Sequence, residues 1–147
     1  MDLSFQEKSA WGLLVGIVVV SAFYFPVAFE VVATVAHPAP LIAVSAVGVV
    51  AIVIIETVYH VVIAAAARGG TDPDERDRLI DLKAERNSGF VLGVGLFTLV
   101  GWIFVQSALG AEFVMQPLTI AVWILLALTV SEVAKLGWQL WYYRTGA

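Results

Sequence analysis

Two carboxylates, a histidine and a lysine stand within apolar stretches of this chain. A charged side chain at the centre of a membrane-spanning helix costs roughly 2.5–3.5 kcal/mol, so such groups demand a reason. Glu56 is followed four residues later by His60, which puts both on one helical face; Glu132 is followed by Lys135 and then Gln139. These residue types can pass a proton or hold a cation, because imidazole titrates near neutral pH and desolvation raises a carboxylate toward the same range. Counted at the helical rise from Leu41 and from Leu118, Glu56 and Glu132 both stand roughly 21–22 Å from the outer ends of their helices. Equal depth is therefore expected, with the stripe Thr129, Glu132, Lys135 and Gln139 turned toward Glu56 and His60. The same groups would serve equally as a hydrogen-bonded network that fixes how the helices pack.

Other chemistries fit poorly. The chain has no cysteine, so disulfides, thiolate metal sites and a cysteine nucleophile are ruled out. Glu56, His60 and Glu132 could offer metal ligands, but the Glu-x-x-His pairs of diiron bundles are missing. His37 lies at an outer connection and His60 toward the inner end, which leaves a haem only the route of being shared between two subunits. No nucleophile stands beside a base and no phosphate motif is complete. The expectation is a non-enzyme with no catalytic residue, no metal and no cofactor.

The elements that must position these groups are helices. Four apolar runs, 11–36, 41–67, 89–109 and 118–143, each reach or exceed the roughly 20 residues needed to cross about 30 Å of hydrocarbon. With 61% hydrophobic and 14% charged residues, the sequence reads as one all-α, four-helix transmembrane domain over 1–147. It divides into a hairpin at 11–67, a cytoplasmic segment at 69–88 and a hairpin at 89–143. The first run is longer than the apolar core of a signal peptide and lacks a cleavage site, so it is expected to stay as a helix. All eight Lys and Arg fall toward one end of the helices: Lys8, the central Arg68, Arg76, Arg78, Lys83 and Arg86, then Lys135 and Arg144. By the positive-inside rule both termini and the central segment are cytoplasmic. Trp11, Trp138, Trp141, Tyr142 and Tyr143 mark that interface as an aromatic belt.

Within the central segment, Asp72-Pro73-Asp74-Glu75 has the grammar of a helix start, predicting a short separate helix from Pro73 toward Arg86. Its basic residues are interleaved with six acidic ones, which gives no cationic patch and makes nucleic acid an unexpected partner.

The hairpins also look alike. Gly12-x-x-x-Gly16 recurs 77 residues later as Gly89-x-x-x-Gly93, and Pro40-Leu41 as Pro117-Leu118 at the same offset. Small-x-x-x-small spacing allows close helix approach, so all four glycines are helix-packing candidates. Since both hairpins start on the same side, the repeat would be parallel, related by an axis along the membrane normal.

The stretches Phe5-Gln-Glu-Lys-Ser-Ala-Trp11, Asp74-Glu-Arg-Asp-Arg-Leu-Ile-Asp-Leu-Lys-Ala-Glu-Arg86 and Tyr142-Tyr-Arg-Thr-Gly146 resemble a group of small bacterial four-helix membrane proteins of unknown function. The resemblance implies a multi-pass protein of the bacterial inner membrane and supplies no catalytic residues. The expected role is association in the bilayer, as an accessory, scaffold or regulatory subunit, with a second copy or another membrane protein as partner. The rival is a small proton- or cation-coupled transporter or channel built on Glu56, His60, Glu132, Lys135 and Gln139.

Overall fold

A computed structural model describes residues 4–34, 39–66, 72–109 and 117–146. His37, Arg68 and the outer connection at 110–116 lie outside the described residues. The described chain forms four helices: α1 (Phe5–Thr34), α2 (Ala39–Ala66), α3 (Glu75–Ala108) and α4 (Pro117–Thr145). Each contains a window long and apolar enough to cross a membrane. All-α architecture with four candidate membrane-spanning helices is thus the fold.

The central segment is not a separate helix. It is the first part of α3, a continuous 34-residue helix about 51 Å long, well beyond the thickness of the hydrocarbon. Asn87-Ser88-Gly89 are weak helix formers, and tertiary bonds support the helix there. The Asn87 amide donates to the Tyr142 hydroxyl at 2.8 Å, and the Ser88 carbonyl accepts from the Ser131 hydroxyl at 2.9 Å. The cap also moves by two residues from the expected Asp72. Asp74 accepts from the Asp77 N–H at 2.8 Å while the Asp77 carboxylate accepts from the Asp74 N–H at 3.1 Å, a reciprocal capping box. Pro73 therefore precedes the helix instead of opening it.

The principal interfaces are α1 with α2, α1 with α4, and α4 with α3. Helices α1 and α4 form the centre, with α2 packed on α1 and α3 on α4. Exchanging the two hairpins would turn the α1–α4 interface into an α3–α2 interface, and no comparable α3–α2 interface exists among the described residues. The fold thus does not support the two-fold expected from the 77-residue repeat. The glycines show the same asymmetry. A Cβ built at Gly12 would fall within the Tyr59 ring, and one at Gly16 would lie 3.3 Å from Ile55, so both lie against α2. At Gly89 and Gly93 a Cβ meets nothing within 4 Å. The face that α3 gives to α4 is instead Ala84, Ser88 and Gly95, where Gly95 sits against Ala127.

Gly12 therefore carries the close approach and Gly89 does not. Tyr59 cannot swing aside without losing its hydroxyl bond to the Lys8 carbonyl, 2.6 Å away. Gly12→Ala is expected to lower stability by about 1–3 kcal/mol through overpacking. Gly89→Ala should be neutral or raise stability by up to about 1 kcal/mol through lost unfolded-state freedom. Unfolding of the two variants in detergent, followed by circular dichroism, checks the contrast.

Candidate functional site

The polar residues gather at the end of the bundle that holds the α1 and α3 N-termini and the α4 C-terminus. Acidic residues of α3 recur every four positions at Asp77, Asp81 and Glu85, and polar residues of the antiparallel α4 recur likewise at Tyr143, Gln139 and Lys135. The two rows face one another and mesh. Tyr143 donates its hydroxyl to Asp77 at 2.8 Å, the Gln139 amide donates to Asp81 at 2.7 Å, and Lys135 pairs with Glu85 and, at 3.5 Å, with Asp81. The row ends in the bilayer direction at buried Ser131, bonded to the Ser88 carbonyl. Arg76 adds a bond of 3.2 Å to the Tyr143 carbonyl.

Lys135 is the most enclosed member of its ion pairs, with 21% of its side chain exposed against 56% for Asp81 and 64% for Glu85. Its ammonium has left water to a greater extent than its partners, so the pairs matter more to Lys135 than to the carboxylates. The expected partner of this stripe was the Glu56–His60 face of α2. The structure puts α3 there instead, because α1 lies between α4 and α2. The stripe also splits, since Glu132 and Thr129 leave the α3 face. Glu132 is exposed and lines a cleft toward α1, while Thr129 bonds back to the Leu125 carbonyl at 2.9 Å.

That cleft, of about 350 Å³, opens between α1, α3 and α4. Ser9, Asp81, Glu132, Lys135, Gln139 and Tyr143 line it together with Arg78. Ser9 connects it to the histidine. Its hydroxyl lies 2.7 Å from His60 Nε2, and His60 Nδ1 lies 2.8 Å from the Glu56 carbonyl oxygen. A carbonyl only accepts, so Nδ1 carries the proton; in the neutral ring Nε2 then accepts from Ser9, an assignment made from the bonding pattern. His60 is thus a crosslink between α2 and α1. The Glu56 carboxylate is half-buried and forms no hydrogen bond or ion pair among the described residues. Glu56 and Glu132 do not converge, and among the described residues no three His, Asp or Glu side chains group as metal ligands do.

Sequence reasoning missed Ser9, Tyr59, Asp77, Asp81, Glu85, Ser88, Ser131 and Tyr143. The signal was present in the four-residue spacing on both sides of the second hairpin. It became visible only once the segment at 69–88 was joined to the apolar run that follows.

The meshed rows predict energetic coupling. Lys135→Met should destabilise the protein by about 1 kcal/mol, and Glu85→Gln by less, because Asp81 remains as a second counter-charge. The double variant should fall short of the sum by about 0.5–1 kcal/mol. Unfolding midpoints across this cycle test it, and strict additivity would show that the pair contributes nothing of its own.

Compared with known proteins, the chain matches no family model, no curated protein and no solved structure, so the chemistry of the cleft is argued from its own side chains.

Proposed function

We propose that the protein acts by association within the bilayer, as a non-enzymatic accessory, scaffold or regulatory subunit, and that it conducts neither protons nor cations. The observation that carries this reading is the apolar cluster that separates the polar inner part of the bundle from its outer end. At the inner level lies the cleft. At the same depth, and partly lining the cleft, stand Ala10, Leu136 and Leu140, with Leu13, Leu14 and Ile17 packed against them. A mid-bilayer hollow of about 130 Å³ follows, where Tyr24 and Ser45 share a hydrogen bond of 3.0 Å and Ser21 and Thr129 complete the polar lining. Beyond that, Ala28, Leu41 and Val122 form a second cluster, covered by Phe25, Phe29 and Leu118. Phe29 packs on Trp123 with ring centroids 5.1 Å apart.

A conducted ion needs polar partners through the whole thickness of the hydrocarbon, because each unsatisfied step costs several kcal/mol. The cluster of Ala28, Leu41 and Val122 interrupts any such line. Ser9, His60, Lys135, Gln139 and Tyr143 of the inner end also join helices, which is the work expected of a packing network. Exposed apolar side chains on α2, such as Ile42, Val47 and Val61, suit lipid or a neighbouring helix equally, so they do not carry the reading.

Topology follows from the charge distribution, with both termini and the start of α3 on the cytoplasmic side of a bacterial inner membrane. The chain has no natural cysteine, so single cysteines introduced at Asp72 and Glu112 report sidedness cleanly. A membrane-impermeant thiol reagent is expected to label Glu112→Cys in intact cells and Asp72→Cys only after lysis. The reverse pattern would invert the topology.

Transport is the rival, and it is testable directly. Purified protein in liposomes should show no proton flux above empty liposomes between about pH 5 and 8, the range in which an ordinary histidine titrates. Glu56→Gln should fold with unchanged or slightly higher stability, since it removes a half-buried charge that has no partner among the described residues. A reproducible pH-gated flux that disappears in Glu56→Gln would replace the association reading with transport.

A further inference from the structure

Along the sequence, the acidic and basic residues of the α3 extension alternate; on the helix they separate. At 3.6 residues per turn, Lys83 and Arg86 stand within about 60° of one another, whereas Asp77, Asp81 and Glu85 project to the opposite half of the circumference. The contacts agree with this. All three carboxylates bond side chains of α4, though Asp81 and Glu85 stay more than half exposed, while Lys83 and Arg86 are exposed and pair with no carboxylate among the described residues. Leu79 and Leu82 stand on the same outward half, 52% and 66% exposed. Folding converts a segment of mixed charge into a cationic outer face and an anionic inner one.

With the hydrocarbon taken to begin at Gly89, the cationic face falls at headgroup depth. Arg86 and Lys83 lie about 4–5 Å and 9 Å below Gly89, where the charge-free part of α3 begins, and the headgroup layer is about 5–8 Å thick on each side. Lys and Arg side chains span the remainder by extending along the interface. Aromatic residues of α4 fix the level: Trp138 stacks on Tyr142 with centroids 6.1 Å apart, and Lys83 lies 5.7 Å from the Tyr142 ring centroid. Asn87, one turn further on, holds the Tyr142 hydroxyl. Glu75 shares the outward half but stands about 16 Å further from the hydrocarbon than Arg86, beyond the reach of that layer.

We propose that this face, centred on Lys83 and Arg86, docks on the headgroups of anionic phospholipids in the surrounding leaflet. The occupant follows from charge complementarity and depth, since phosphate oxygens are the groups that two exposed cations meet at that level. A soluble acidic partner would instead have favoured Arg76, but that side chain is turned back to the Tyr143 carbonyl and lies over the Tyr143 ring.

The test uses the whole protein extracted from bilayers of equal phosphatidylglycerol and phosphatidylcholine, with the retained lipids counted by native mass spectrometry. Wild type is expected to be enriched in phosphatidylglycerol, and to lose that enrichment as ionic strength rises. Lys83→Gln with Arg86→Gln should reduce the enrichment roughly fivefold for each cation removed, the effect of about 1 kcal/mol per cation near an anionic surface. The charge-conserving pair Lys83→Arg with Arg86→Lys should keep it, and Lys8→Gln, which removes one exposed cation of α1 at the same end of the bundle, should lower it by no more than about fivefold. Enrichment that survives in the neutralised variant, fails in the charge-conserving one, or falls equally in Lys8→Gln would overturn the proposal.

Discussion

The second hairpin is organised by the need of one ammonium group for counter-charge. Lys135 stands on a helix whose preceding residues are almost wholly apolar, and its side chain is more enclosed than the carboxylates it meets. Moving a charge out of water is tolerable only where an opposite charge is already in place. Glu85 and Asp81 meet that need only if α3 continues as a helix well past the hydrocarbon, and only in one register against α4. Once Lys135 is placed, the four-residue spacing on both helices brings Gln139 to Asp81 and Tyr143 to Asp77. Asp77 closes the capping box as well, so the start of α3 is tied to the end of α4 through a single carboxylate.

The first hairpin solves the same packing problem with neutral groups. Gly12 lets the Tyr59 ring lie on the α1 backbone, and the Tyr59 hydroxyl reaches the Lys8 carbonyl in the first turn of the helix. Ser9 and His60 join one residue further on, and Tyr24 and Ser45 join near mid-bilayer. Lipid supplies no hydrophobic drive between helices, so close approach and hydrogen bonding must supply the attraction. Small residues let the ring in, and the hydroxyl bond then holds it at one depth.

What could be read in the sequence follows from how local each signal is. Four apolar runs announce four spanning helices because length against bilayer thickness is a property of each run alone. The pairing of Lys135 was less visible. Its partners lie some fifty residues away, across Asn87-Ser88-Gly89, and those residues read as a boundary until Tyr142 and Ser131 are seen to bond them. Glu56 and His60 were rightly placed on one helical face, but the side chain that reaches His60 is Ser9, a small residue at the start of α1 with no distinctive spacing. Interhelical partners depend on which helices become neighbours, and neighbour order is not written in any one helix.

The recurrence at 77 residues shows the limit of that kind of inference. Gly12-x-x-x-Gly16 and Gly89-x-x-x-Gly93 are identical as motifs, yet one pair admits a tyrosine ring and the other faces open space. The difference lies in what each helix must bring to its neighbour. On α3 the packed face carries Ala84, Ser88 and Gly95; the four-residue row Asp77, Asp81, Glu85 drifts about 40° around the helix at each step, so Gly89 and Gly93, which continue it, have turned away from α4. On α1 Gly12 and Gly16 stay on the face that meets Tyr59 and Ile55 of α2. Helical drift decides which small residues reach a neighbour, and repeated grammar at helix starts does not carry over into repeated packing.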